Sequence, residues 1–192
     1  MKNNIGIFMR VKGISLKVTL DFVKQNYPDR LEEWISSLSD LSRESYSKPL
    51  MISDWYPIEI TLESRRKIAE LFFNGDYDKC AWEIGRFSAD SVLKGIYKAF
   101  IKVASTSFVI GRASKIIAAY YENAELEVLE STPSTVKIKI NNFPASDSMF
   151  ELSICGWIEF ALEKVGSKEI KINKICSLSD GDSFSEYHIS WI

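Results

Sequence analysis

Gly181-Asp182-Ser183-Phe184-Ser185-Glu186-Tyr187-His188-Ile189-Ser190-Trp191 reads as a turn followed by a strand. Gly181 and Asp182 carry the turn chemistry, and strict alternation follows. Ser185, Tyr187, Ile189 and Trp191 share one face, while Glu186, His188 and Ser190 share the other. Ahead of the turn, Ile170 and Ile172 alternate with polar neighbours until the phase breaks at Lys174-Ile175, so the chain closes on a hairpin. A helix precedes it: Asp147 or Ser146 can cap a run through Phe150, Leu152, Ile154, Cys155, Ile158, Phe160, Ala161 and Leu162 that stops at Gly166. Another hairpin precedes that helix. Leu126 and Val128 alternate with Glu125 and Glu127, Ser131-Thr132-Pro133-Ser134 turns the chain, and Val136, Ile138 and Ile140 alternate with Lys137 and Lys139. Two glutamates then face two lysines across the strands, and each such pair contributes roughly 0.2–1 kcal/mol.

The remainder, upstream, has a helical period. Leu16, Leu20, Phe22, Val23 and Tyr27 form one stripe after Gly13, and Pro28 opens a second helix through Leu31, Trp34, Ile35 and Leu38. Residues Ser39 to Asp54 are rich in Ser, contain Pro49 and read as a loop. Thr61 looks like the start of a helix that runs through Ile68, Leu71 and Phe72 to a stop at Asn74-Gly75. From Tyr77 to about Ala104 runs the longest pattern, with Cys80, Ile84, Phe87, Ser88, Val92, Gly95, Ile96, Ala99, Phe100 and Val103 on one face. Small residues there (Ser88, Ser91, Gly95, Ala99) would let a neighbouring backbone come close, although Gly95 costs about 1 kcal/mol against Ala. After Ser105-Thr106-Ser107 a further helix carries Phe108, Ile110, Ile116, Ile117, Tyr120 and Tyr121. Helices first and strands last give an α+β class: N-terminal helices packed on one face of a C-terminal antiparallel sheet, ordered hairpin, helix, hairpin. At 192 residues the expectation is a single domain, 1–192, with a helical part at 1–123 and a sheet part at 124–192.

With 46% hydrophobic and 26% charged residues and a net charge of −2, the chain has the composition of a globular protein and no electrostatic footprint for nucleic acid or an anionic membrane. No run of about eighteen apolar residues exists, and Met1-Lys2-Asn3-Asn4 lacks a signal core, so a cytoplasmic location without membrane insertion is expected. Cys80, Cys155 and Cys176 form no CxxC pair and are expected as reduced thiols packed like small hydrophobes.

The closing stretch, with Cys176 just before it, resembles the end of a ligand-binding superfamily. That superfamily comprises vinyl-4-reductase-like domains, haem-nitric-oxide-binding domains and Golgi-transport tethering subunits. Many bacterial members end in Cys, a Gly-Asp turn, a second Cys and an acidic-aromatic-x-aliphatic-x-Trp strand; here Ser185 stands in place of the second Cys. Glu125-x-Glu127-Val128, Asn142-Phe143-Pro144, Cys155-Gly156-Trp157 and Gly166 extend the resemblance. Weaker matches lie upstream at Lys12-Gly13, Phe22-Val23, Trp55-x-Pro57 and Gly85-Arg86. The resemblance implies a sensing or scaffolding role.

Other chemistries lack their residues. A zinc site needs about four Cys, His or carboxylate ligands, whereas Cys176 has lost its strand partner and His188, the single histidine, falls on the opposite face from Ser185. The haem-binding relatives use a proximal histidine on a core helix, and none precedes His188. A Ser or Cys nucleophile lacks a neighbouring base, and Glu125 and Glu127 sit on an exposed strand face. Gly111-Arg112-Ala113-Ser114-Lys115 has the composition of an anion loop but lies inside a helix. Arg86 can pair with Glu83 or Asp90 on its own helix.

An aromatic interior remains. The reading is a non-enzymatic sensor or regulatory domain, without cofactor, that binds a small apolar molecule between helices and sheet. Trp82, Arg86, Phe100, Arg112, Tyr120 and Trp157 are the candidate ligand-binding residues, and the expected partner is a second copy or a separate signalling protein. The alternative is a protein-interaction scaffold without a ligand, for which Trp34 and Phe22 would stand exposed on the first two helices.

Overall fold

A computed structural model describes residues 9–94, 106–142 and 147–192. The chain enters through a short strand that periodicity did not announce, β1 (Arg10–Lys12), which pairs antiparallel with β2 (Trp55–Pro57). Between them lie α1 (Gly13–Asn26), a 3-10 turn at Pro28–Arg30, α2 (Leu31–Ser37) and α3 (Asp40–Ser47). Helix α3 corrects the loop expected over Ser39–Asp54. Its sequence is too polar to show an apolar stripe, and only Ser42 and Tyr46 are buried. It is held from its N-terminus: Ser39 Oγ accepts from Ser42 N, and the carboxylate of Glu63 accepts from Ser39 N at 2.7 Å, Ser39 Oγ at 2.7 Å and Ser42 Oγ.

Helix α4 (Ile58–Phe72) starts three residues before the expected Thr61, directly after Pro57, and Thr61 is buried within it. Asn74 and Gly75 stop it with positive φ values of 53° and 79°. Helix α5 is described over Tyr77–Lys94; its expected continuation through Gly95, Ile96, Ala99, Phe100 and Val103 lies outside the described residues. Helix α6 (Thr106–Tyr120) follows. Its end is zipped to the N-terminus: Val11 bridges Tyr121, Glu122 N donates to Arg10 O at 3.0 Å, and Arg10 Nε donates to the Glu122 carboxylate at 2.8 Å.

The sheet comprises β3 (Glu125–Ser131), β4 (Thr135–Asn141), β5 (Lys171–Cys176) and β6 (Ser185–Ser190), all antiparallel in the order β3-β4-β6-β5. Helix α7 (Ser148–Lys164) connects the two hairpins, its first turn capped by Asp147, whose Oδ1 accepts from Met149 N at 2.8 Å. The architecture is α+β, as the patterns imply. Val136, Ile138, Ile140, Ser185, Tyr187 and Ile189 form the buried face of β4 and β6. Of the two expected charge pairs, Glu127 faces Lys139, but Glu125 faces Asn141. A bulge between Val128 and Glu130 shifts the register, and Glu130 takes Lys137 at 3.0 Å instead. The break at Lys174-Ile175 is a second bulge, opposite Tyr187 and Glu186. Among the described residues no helix is long and apolar enough to cross a membrane.

Candidate functional site

Helices α5 and α7 cross backbone to backbone. A Cβ placed on Gly85 would lie 2.1 Å from Ser153 O, and one on Gly156 would lie 2.2 Å from Trp82 O. Two facing glycines therefore let the helices meet with no side chain between them. Sequence periodicity had assigned close approach to Ser88, Ser91, Gly95 and Ala99. Gly95 and Ala99 lie outside the described residues, Ser91 is exposed with Oγ bonded to Phe87 O, and Ser88 is buried beside the crossing.

Next to the crossing, α4, α5, α6 and α7 border a partly open cavity of about 40 Å³. Its walls are Ile84, Gly85 and Ser88 from α5, Ile116, Ile117 and Tyr120 from α6, and Ser153, Ile154, Trp157 and Ile158 from α7, with Leu126 and Arg65 completing it. Of the six expected ligand residues the structure brings Tyr120 and Trp157 together here. Phe100 lies outside the described residues, and so does the side chain of Arg112. Trp82 and Arg86 are elsewhere, on the partly exposed outer edge of the α5–α7 contact. There Trp82 Nε1 donates to Glu159 at 2.7 Å, and Arg86 donates to Glu159 and, at 2.7 Å, to Glu163. The expectation of an ion pair within α5 is thus corrected: both carboxylates come from α7, and Asp90 pairs with Lys94 instead. The bonds to Glu163 and Glu159 push the Arg86 guanidinium above its ordinary value.

Sequence reading missed Arg65. It is 3% exposed, and the adjacent Arg66 turns outward to Asp147. The Arg65 guanidinium reaches Ser15 Oγ at 3.2 Å, Ser153 Oγ at 3.2 Å and Thr19 Oγ at 3.4 Å, and lies 5.4 Å from the centre of the Phe150 ring. Burial pushes the nearby Tyr121 phenol up, with the Arg65 charge opposing that shift. The one available signal was an arginine on the apolar stripe of α4, three residues before Ile68.

On the sheet-facing side of α7 lies a second buried charge. Glu151, 2% exposed, accepts from Ser177 Oγ at 2.5 Å, Ser179 Oγ at 3.2 Å, Tyr187 OH at 3.2 Å and Ser185 Oγ. Ser185 Oγ also accepts from Leu178 N at 2.9 Å. The serine that stands in the second-Cys position thus belongs to a hydroxyl cage around a carboxylate. Cys176, opposite Glu186 in the register, directs Sγ to Phe184 O at 3.5 Å. Among the described residues no group of three or more His, Cys, Asp or Glu side chains is placed to hold a metal ion.

All three cysteines are free, with Cys80 and Cys155 buried and Cys176 half-buried. Burial pushes the Cys80 and Cys155 thiols up from 9.0 to about 12. Ellman's reagent at pH 8 is therefore expected to modify Cys176 first in the native protein, and Cys80 and Cys155 only on unfolding. Well below pH 9 these thiols are neutral whether the chain is folded or not. Between pH 9 and 12 only the unfolded chain ionises them, so denaturant midpoints are expected to fall as pH rises through that window.

No protein-family model and no curated protein matches the sequence. Solved structures do match in shape. An H-NOX protein from S. oneidensis in the Fe(II)NO ligation state superposes with a TM-score of 0.73 at 14% identity, over 94% of this chain and 99% of that one. The Fe(II) unliganded H-NOX protein from K. algicida gives 0.71 at 15% identity, over 94% and 96%. The NMR structure of an H-NOX domain from Shewanella oneidensis in the Fe(II)CO ligation state gives 0.71 at 14%, over 94% and 98%. The chain has the H-NOX fold.

Proposed function

We propose that this chain is a non-enzymatic sensor or regulatory domain that takes a small molecule into the cavity between α4, α5, α6 and α7, and passes the signal to a second copy or a separate protein. The cavity carries the proposal. Interiors pack closely, with few voids larger than a water, whereas this chain keeps about 40 Å³ open among Ile84, Ile116, Ile117 and Trp157. The fold supports the reading, since neighbours of the same shape are described with NO or CO on iron.

The haem of that fold does not fit these residues. The one histidine, His188, sits in β6 opposite Asn173 and Lys137, on the strand face that alternates away from the buried Tyr187 and Ile189. No imidazole of the chain therefore reaches the helical interior. The cavity is also an order of magnitude below the roughly 300–1,000 Å³ of cofactor and ligand clefts, and the buried thiols are held protonated. A different, smaller ligand is the consequence.

The scaffold alternative called for exposed apolar side chains on the first two helices. Trp34 is 0% and Phe22 5% exposed, both within the core of this one chain. Native mass spectrometry of freshly purified protein, run beside a denatured sample, tests the proposal. A mass excess that disappears on denaturation, and that Ser88→Leu abolishes by filling the cavity, is expected. A clean apo mass, with no rise of the thermal midpoint under xenon or toluene, would overturn it.

A further inference from the structure

We infer that the ligand of this cavity is a short-chain monocarboxylate, held through its carboxylate by Arg65. The inference rests on the sensor reading and names the chemical class of what is sensed. Its basis is a buried positive charge without a counterion. Arg65 is 3% exposed and lines the cavity, yet no carboxylate among the described residues lies within ion-pair distance of it. The segments outside the described residues, 1–8, 95–105 and 143–146, contain no Asp or Glu, so they supply none either. Burying a guanidinium without an anion is costly, which is why buried charges are ordinarily paired.

What Arg65 has instead is weak. Its bonds to Ser15, Ser153 and Thr19 run to neutral hydroxyls at 3.2, 3.2 and 3.4 Å, long beside the roughly 2.7–2.9 Å of charge-assisted bonds, and the Tyr121 hydroxyl is a further uncharged partner. Two of those hydroxyls already donate to backbone: Thr19 Oγ to Ser15 O at 2.9 Å, and Ser153 Oγ to Met149 O at 2.8 Å. They present lone pairs to the guanidinium and contribute no negative charge. A second donor lines the same cavity. Trp157 is 9% exposed, and its Nε1 finds no hydrogen-bond partner among the described residues.

The cavity is thus lined by a cationic side chain and by an indole whose N–H is unpartnered among the described residues, with Ile84, Ile116 and Ile117 beside them. A cation without a counterion beside an unpartnered N–H selects an anion, and the guanidinium fork matches the two oxygens of a carboxylate. The apolar walls select a hydrocarbon remainder over a hydrated inorganic ion. At about 40 Å³ there is room for on the order of three water-sized groups, which limits the ligand to a carboxylate with the shortest alkyl tails.

Isothermal titration calorimetry of the full chain with sodium acetate, propionate and butyrate, against propionamide and sodium nitrate, tests the assignment. Carboxylates are expected to bind at least about tenfold more tightly than propionamide and nitrate. Arg65→Met, with unchanged far-UV circular dichroism, is expected to lose that preference, and Trp157→Phe to weaken it. Should Arg65→Met fail to fold, Trp157→Phe and the acid-amide comparison on the unmodified chain still decide. Equal binding of propionamide and propionate would overturn the anionic class and leave the sensor reading intact. Nitrate binding as tightly as propionate would overturn the monocarboxylate. If no probe binds and native mass spectrometry shows no retained mass, both readings fall together.

Discussion

Gly85→Ala is expected to lower stability by about 3 kcal/mol, seen as a fall in the urea midpoint with little change in slope. Alanine is the better helix former by about 1 kcal/mol, so propensity alone predicts the opposite sign. The new methyl, however, would lie 2.1 Å from Ser153 O, 2.8 Å from Ser153 C and 2.9 Å from Ser153 Cα. All three are backbone atoms in the middle of α7 and cannot rotate away. The helices must separate, and the buried side chains packed along the crossing, such as Ile84, Ile154 and Cys155, lose contact together. Gly156→Ala repeats the clash from the other side, at 2.2 Å from Trp82 O. The double variant is expected to cost less than the sum, because one separation relieves both contacts. A Gly85→Ala protein as stable as its parent would show that the helices do not cross this closely. The effect extends to the cavity, since Ser153, which accepts from Arg65, is the residue the new methyl would strike.

Replacing Glu151 with Leu is expected to cost a similar amount, about 3 kcal/mol, although the substitution puts an apolar side chain into a buried site. The carboxylate is the acceptor for Ser177, Ser185 and Tyr187, all buried. Deleting it leaves hydroxyl donors in the interior, each costing about 1–3 kcal/mol when unsatisfied. Ser177 and Ser179 retain each other, at 2.7 Å, which limits the loss. Ser185 and Tyr187 lie in β6, so the cage also ties the last strand to α7. Glu151→Gln keeps one acceptor oxygen and is expected to cost less than half as much in the same denaturation series. Equal midpoints for the Leu variant and the parent would mean that the cage contributes nothing.

The sheet half was legible because its information is local. Alternation over a few residues placed Ser185, Tyr187, Ile189 and Trp191 on one face, and all four are buried. The phase break at Lys174-Ile175 and the stops at Asn74-Gly75 and Gly166 were equally readable, because each belongs to a bulge or a helix end whose chemistry sits in consecutive residues. Helix α3 was not readable: with two buried residues it has no apolar stripe, and its fixing partner, Glu63, lies 21 residues beyond Ser42. Among the proposed ligand residues, Tyr120 and Trp157 followed from aromatic positions on helices. Arg86 was given to the wrong partners because Glu83 and Asp90 satisfy the spacing rule on α5, whereas the crossing brings Glu159 and Glu163 closer.

The sequence by itself determined the periods, and through them the types of the longer elements, the strand faces of the two hairpins and the α+β order of hairpin, helix, hairpin. The absence of an imidazole before His188 is likewise a property of the sequence alone. Only the tertiary structure decided which polar groups are buried together. Arg65 and Ser153 are 88 residues apart, Glu151 and Ser185 are 34 apart, and Gly85 meets α7 through a backbone carbonyl that any residue type would carry. A hydrophobic period reports which face of an element turns inward. Whether a charge on that face meets a counterion, a hydroxyl cage or an open cavity depends on which other element is packed against it.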